Sequence, residues 1–191
     1  TKSIEEALIW MLSHTNGRID VLFNNAAYGQ PGAVEDLKKE VLREQFETNV
    51  FGTQELTNRV IPYMRKQKSG RIIYNSSILG FVAMSYRGAY NASKFAIEGL
   101  ADTLRLELYK SGVEVVLIEP GPIRSDFRKN ALAKFLEHID QEHSAHSDVY
   151  AKTLARLQKS GDAPFTLGSE AVLEVLIRAI EAQNPKARYG V

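Results

Sequence analysis

Three short runs rich in β-branched and apolar residues, Ile19–Phe23, Arg71–Ser76 and Val113–Ile118, alternate with long stretches whose apolar residues recur at helical spacing. Between the first two runs, Leu37, Val41, Leu42, Phe46 and Val50 mark a helix over about 36–66, with Asn49, Gly52 and Pro62 as places where it would kink or break. Between the second and third, residues 86–110 read as a helix whose row Ala96, Leu100, Leu104, Leu108 repeats every four positions, with Ser111-Gly112 as its stop signal. Strands that alternate with helices in this way call for right-handed crossovers. The chain is therefore predicted to be an α/β domain, a doubly wound parallel sheet with helices on both faces. Residues 127–160 read as helical but more polar, 161–168 as a loop and 169–183 as a last helix, so 127–168 is a candidate flap over a site. One domain over residues 1–191 is expected.

Composition removes several functions before any motif is considered. Lys and Arg number 24 against 23 Asp and Glu, a net charge of +1, so no global field favours nucleic acid or an anionic membrane. With no cysteine, disulfides, thiolate metal sites and a cysteine nucleophile are excluded, which fits a reducing compartment and a cytoplasmic location. Clean apolar stretches such as Val115–Ile118 fall far short of the ~18 residues that a membrane span needs. Of the four histidines, His143 and His146 are three apart, but no carboxylate is spaced to complete a metal site with them. All four, His14 and His138 included, are expected to be solvated surface residues, with no metal bound.

Ligands of an open parallel sheet sit beyond the carboxyl ends of its strands, which directs attention to the loops after Phe23, Ser76 and Ile118. Tyr90 and Lys94, four apart at the start of the 86–110 helix, fall on one face within mutual reach. A free tyrosine titrates near ~10, and an ammonium beside it favours the phenolate, so Tyr90 is expected to have a lowered pKa and to serve as acid and base. Ser77, at the end of the second strand, is placed to donate a hydrogen bond to the same substrate oxygen. Asn24-Asn25-Ala26-Ala27 supplies small residues and amides beside a ligand, and Pro120-Gly121-Pro122 lets backbone approach one closely. Each of these features alone is weak, since a Tyr-x-x-x-Lys match or a turn-starting serine is common.

Together, in order and spacing, they resemble the short-chain dehydrogenase/reductase family. Asn24-Asn25-Ala26-Ala27 is similar to its Asn-Asn-Ala-Gly signature, with alanine in the usual glycine place. Asn49 in Thr48-Asn-Val-Phe-Gly52 matches its helix asparagine, Ser77 its serine and Tyr90-Asn-Ala-Ser-Lys94 its Tyr-x-x-x-Lys motif. Pro120-Gly121 matches its Pro-Gly, and Ser125 stands where the family usually has threonine. The resemblance, strong over about 20–127, implies a Rossmann-like fold and hydride transfer between NAD or NADP and an alcohol or carbonyl carbon. In that reading Tyr90 exchanges the proton, Lys94 lowers its pKa and bonds the nicotinamide ribose, and Ser77 positions the substrate oxygen. Asn49 would hold a water linking Lys94 to solvent. Asn25 and Ala26 would lie near the adenosine ribose, and Pro120, Gly121, Ile123 and Ser125 would line the nicotinamide end. Family members commonly associate through the helices that here span about 36–66 and 86–110. Phe95, Leu104 and Leu106 exceed what one helix face would hide, so a homodimer or homotetramer of a longer protein is expected.

The family's Gly-rich turn for the cofactor pyrophosphate has no counterpart, because none of the thirteen glycines forms a Gly-x-Gly pair. The chain thus reads as the catalytic portion of a longer domain, lacking the first strands and, past Val191, a final one. It is expected to be inactive alone, and the choice between NAD and NADP is not readable. Leu79, Phe81, Val82, Met84, Phe127 and Phe165 are candidates to line an apolar substrate pocket. A non-catalytic nucleotide-sensing or scaffold protein of the same fold is the alternative, against which the full Asn49, Ser77, Tyr90, Lys94 set argues. A serine hydrolase using Ser77 is ruled out by the lack of a Gly-x-Ser-x-Gly turn and a placed histidine.

Overall fold

The computed structural model describes residues 2–158 and 164–191. Helix α1 (Lys2–His14) leads into strand β1 (Val21–Asn24), and helices α2 (Lys39–Phe46) and α3 (Thr53–Gln67) lead to β2 (Gly70–Asn75). Helix α4 (Gly88–Glu107) connects β2 to β3 (Val113–Glu119). Helices α5 (Phe127–His138), α6 (Ser147–Gln158) and α7 (Ser169–Glu181) precede β4 (Arg188–Gly190). All three strand pairings are parallel, in the order β1-β2-β3-β4.

Strand side chains alternate between two buried layers, as the period of two requires. Leu22, Ile72, Tyr74, Val115 and Leu117 join Leu8 of α1, Val60 and Met64 of α3, and Ile97, Ala101 and Leu104 of α4 on one face. Ile73, Val116 and Ile118 join Val175 and Ala179 of α7 on the other. Helices cover both faces, so the sheet is doubly wound. Ile72 and Ile73 are fully buried on opposite faces, each contributing about 1.5–3 kcal/mol. A smaller cluster, Ala33, Phe135, Ile139 and Tyr150, holds α5 and α6 over the loop that follows β1.

The long helix expected over 36–66 keeps its direction but changes its winding. A π turn over Glu47–Gly52 separates α2 from α3, at the Asn49 and Gly52 positions where a break was expected, whereas Pro62 lies inside α3, which runs on to Gln67. The polar stretch 127–160 holds two helices, and its last two residues, with the first three of the loop expected at 161–168, lie outside the described residues. On α4 the buried row is Ile97, Ala101, Leu104 and Leu108, while Leu100 is exposed, because a strict four-residue repeat drifts off a 3.6-residue helix face. Arg188–Gly190 pairs with β3 as a fourth strand that the sequence reading did not mark. Its three residues are too short and too polar to show a strand pattern.

One glycine is demanded by the turn chemistry. α3 ends with Lys68 in the left-handed region, and Gly112, itself at φ +83°, lies so close that a Cβ there would sit 2.1 Å from the Lys68 carbonyl oxygen. That approach lets Gly70 N donate to Gly112 O at 3.2 Å and starts β2 beside β3.

Candidate active site

The carboxyl edge of the sheet gathers the residues singled out from the sequence. Ser76 N donates to Ile118 O at 2.8 Å and Ile78 N to Pro120 O at 3.0 Å, which carries the β2 ladder one step past the strand and sets Ser77 beside Pro120. Ser77 is buried; its Oγ accepts from Leu79 N at 3.1 Å and faces Pro120 O at 3.5 Å. The chain then turns through Ile78–Gly80 and enters α4, whose first buried face carries Ala89, Tyr90, Ser93 and Lys94. Lys94 Nζ donates to Asn75 O at 2.7 Å and lies 5.6 Å from the centre of the Tyr90 ring.

Asn49 is locked rather than free. Its Oδ1 accepts from Tyr28 N at 3.1 Å, and its Nδ2 donates to Tyr28 O at 2.9 Å and to Ser93 Oγ at 3.0 Å. Ser93 Oγ in turn donates to Tyr90 O at 2.8 Å. Gln45 adds a second clamp on the same loop, donating to Tyr28 O and accepting from Gln30 N, both at 2.8 Å. These bonds give a physical reason for the π turn: widening the helix by one residue puts Asn49 toward the loop and α4. Asn24, Ala26, Asn49, Thr53, Tyr74, Asn75, Lys94 and Ile97 enclose a cavity of about 10 Å³, roughly the space one water requires.

The remaining candidates lie along the same edge. Asn25 and Ala26 are exposed at the end of β1, and Asn25 Oδ1 accepts from Asn75 Nδ2 at 2.8 Å. Pro120 is buried, Gly121 N donates to Val191 O at 3.2 Å, and Ile123 bridges to Leu167. Ser125 is exposed and accepts from Phe127 N at 3.3 Å, opening α5. The Phe127 ring packs edge-on against Tyr90, centroids 5.1 Å apart, and against Gly29, where a Cβ would lie 2.5 Å from Phe127 Cζ.

Electrostatics depart from expectation at the tyrosine. Burial pushes the Tyr90 pKa up, with hydrogen bonding to Ser77 and the Arg87 charge pulling it back only in part. The lowering expected from Lys94 is not seen, because its ammonium is drawn to Asn75 O and is itself pushed down to about 8 by burial. Of the residues expected to line an apolar pocket, Phe81, Val82, Met84 and Phe165 stand exposed, and the Phe127 ring lies against Tyr90. Leu104 belongs to the core of its own chain, not to a surface between subunits, whereas Phe95 and Leu106 are exposed. Nor are all the histidines free in solvent. His138 pairs with Glu44 and Glu137, and His146 with Glu35, while His143 takes a separate partner, Asp140. Among the described residues no group of three metal-binding side chains comes together.

Comparison with known proteins decides the family. The short chain dehydrogenase model matches residues 1–135. The chain belongs to the short-chain dehydrogenase family. It is 36% identical over 190 residues to the uncharacterized oxidoreductase YbbO of Escherichia coli, covering all of this chain and 65% of the relative. It is 34% identical to the 3-ketodihydrosphingosine reductase of Bacteroides thetaiotaomicron, covering 99% of this chain and 68% of that one. A short-chain dehydrogenase of Streptomyces avermitilis superimposes with a TM-score of 0.77 at 28% identity, over 99% of this chain and 65% of that structure. A serine dehydrogenase complexed with NADP+ shares the fold, with a TM-score of 0.79 at 21% identity over 98% and 70% of the two chains. The chain thus spans about two thirds of the length of these short-chain dehydrogenases.

Asn75, Ser93 and Gln45 were missed from the sequence. Asn75 meets Lys94 through its backbone carbonyl, which any residue type would supply. Ser93 and Gln45 lie within recognised helices, but only the fold shows that they bond to a distant loop.

Proposed function

We propose that the whole protein is an NAD- or NADP-dependent oxidoreductase acting on an alcohol or carbonyl substrate, with Tyr90 as the proton-exchanging group. The observation that supports this most is the burial of Ser77, Tyr90 and Lys94 together at the carboxyl edge of the sheet. A nicotinamide cofactor, when bound, supplies or accepts the hydride. The residues present fit its nicotinamide and ribose end: two of the three Lys94 ammonium protons remain after the bond to Asn75 O, and Asn75 Oδ1 is a buried acceptor without a donor. Asn25 and Ala26 at the end of β1, with Pro120, Gly121, Ile123 and Ser125 after β3, are the proposed walls of that site.

Tyr90 Oη gives its proton to the developing alkoxide, or takes one in the reverse direction, while the Ser77 hydroxyl holds the same oxygen. An elevated tyrosine pKa keeps the group protonated at neutral pH, which suits it to the reductive direction. The cavity beside Lys94 is proposed to hold the water that refills the proton. Since the Asn49 side chain is committed to Tyr28 and Ser93, its part in that relay falls to its backbone carbonyl in the π turn. The segment 127–168 acts as the substrate flap, with Phe127 on Tyr90 as its inner contact. The exposed Phe51 of the π turn and Phe95 and Leu106 of α4 are proposed to meet another copy of the chain.

Tyr90→Phe in the whole protein is the test. Turnover is expected to fall by at least ~10²–10⁴-fold while cofactor affinity stays within a fewfold. Rates within a fewfold of wild type would remove Tyr90 from this role.

A further inference from the structure

Glu98 is a buried carboxylate that the proposed reaction leaves without a task. It lies one turn beyond Lys94 on the buried face of α4 and is only 8% exposed. Its stem packs against Gly80, where an added Cβ would meet Glu98 Cγ at 2.9 Å and Oε1 at 3.1 Å. Oε2 pairs with Arg188 Nη2 of β4 at 3.1 Å, whereas Oε1 has no hydrogen-bond donor among the described residues. An ionised carboxyl in such a place is costly unless a charge offsets it.

Arg188 alone does not offset it, because the same guanidinium pairs with Asp102 at 2.6 Å and with Glu119 at 3.0 Å. Arg105 bonds to Asp102 at 2.5 Å. In these ion pairs Glu98, Asp102 and Glu119 meet Arg105 and Arg188, three carboxylates against two guanidinium groups. The next cation on this buried face is Lys94. We propose that Glu98, held by Arg188, is a positioning residue that supplies the counter-charge of the buried Lys94 ammonium, so that strand β4 acts on the charge state of the active-site lysine.

The groups that face Glu98 are Lys94 and Asp102 on its own helix, Arg188 from β4, Glu119 from β3, and the uncharged Ser76 and Gly80 from the segment after β2. Burial draws Lys94 toward the neutral amine and Glu98 opposes that. The same carboxylate repels Glu119, whose pKa is raised by burial and by Glu98. The catalytic meaning of this arrangement rests on the role proposed for Lys94, but its measurement does not, since the charge of Lys94 is read without turnover.

The experiment is an NMR titration of the whole protein carrying ¹³Cε-lysine, with the Lys94 signal identified by its loss in Lys94→Met. Glu98→Gln is expected to lower the Lys94 midpoint by about one pH unit, and Arg188→Met to raise it by less. An unmoved or raised midpoint in Glu98→Gln overturns the proposal. If Glu98→Gln does not fold, Arg188→Met decides: a raised midpoint supports the proposal, and an unchanged or lowered one overturns it.

Discussion

The loop after β1 is fastened on two sides by opposite means. Toward the sheet edge, the backbone of Tyr28 and Gln30 is held by Asn49 and Gln45, whose side chains are buried. Toward α5 and α6, the same loop is held by polar contacts that run from the buried Tyr150 outward to exposed ion pairs. Tyr150 Oη accepts from Ala33 N at 2.9 Å and donates to Asp36, Ser144 Oγ donates to Asp36 at 2.6 Å, and His146 pairs with Glu35 at 2.6 Å. Lys134 bridges to Glu44 at 2.7 Å with both side chains partly exposed. Buried bonds, the Ala33–Tyr150 bond included, leave costly unpaired groups when broken, whereas the exposed Glu35–His146 and Glu44–Lys134 pairs of the second side exchange with water at small net cost. One side pre-organises the groups proposed to do chemistry, and the other is suited to a cover that opens.

The contrast breaks first at Asn49. Asn49→Leu leaves Tyr28 N without its acceptor and Ser93 Oγ without a donor, so unfolding is expected to become easier by about 2–4 kcal/mol. Denaturant titration measures it, and a loss below ~1 kcal/mol would mean the π turn is not anchored by this side chain.

Lys94 gives a pH signature on the same side. Its folded pKa, about 8, is below the ordinary lysine value, so the unfolded chain binds more protons between pH 8 and 10.5 and stability must rise with pH across that window. Relative to Lys94→Met, the wild-type chain is expected to gain about 1–2 kcal/mol from pH 7.5 to 9.5. A flat difference would show that the ammonium is not penalised by burial.

The cover side is read through Tyr150→Phe, which leaves the buried Ala33 N without its acceptor and removes the Asp36 contact, at a cost of about 1–3 kcal/mol. In the whole protein it is expected to raise KM for the carbonyl substrate a fewfold with kcat little changed. Burial and the Asp36 charge push the Tyr150 pKa up to about 12, so the contact itself should persist through mildly alkaline pH. A loss of kcat as large as that of a sheet-edge variant would erase the distinction between the two sides.

The same division explains what the sequence disclosed. Parallel strands buried on both faces are written as β-branched runs, and α4 as an apolar row, so the sheet core and the Tyr90–Lys94 turn were legible from local pattern alone. The shared burial of Tyr90 and Lys94 was legible because a helix converts a four-residue spacing into a shared face. The direction of the Tyr90 pKa was not, because it depends on how deeply the hydroxyl is buried and on where the Lys94 ammonium turns. The Asn49 and Gln45 clamps join groups fifteen or more positions apart, and β4 is a strand only through its pairing with β3 and the bonds of Arg188. No periodicity records contacts of that kind.

The most direct test of the proposed function follows a single atom. The whole protein is incubated with nicotinamide cofactor deuterated at C4 and a panel of apolar ketones, and the products are examined by mass spectrometry. The account predicts one deuterium on the former carbonyl carbon, with the hydroxyl proton drawn from water. Saturable binding of NADH or NADPH with no deuterium transfer to any ketone would contradict it and would identify a nucleotide-binding protein without this chemistry.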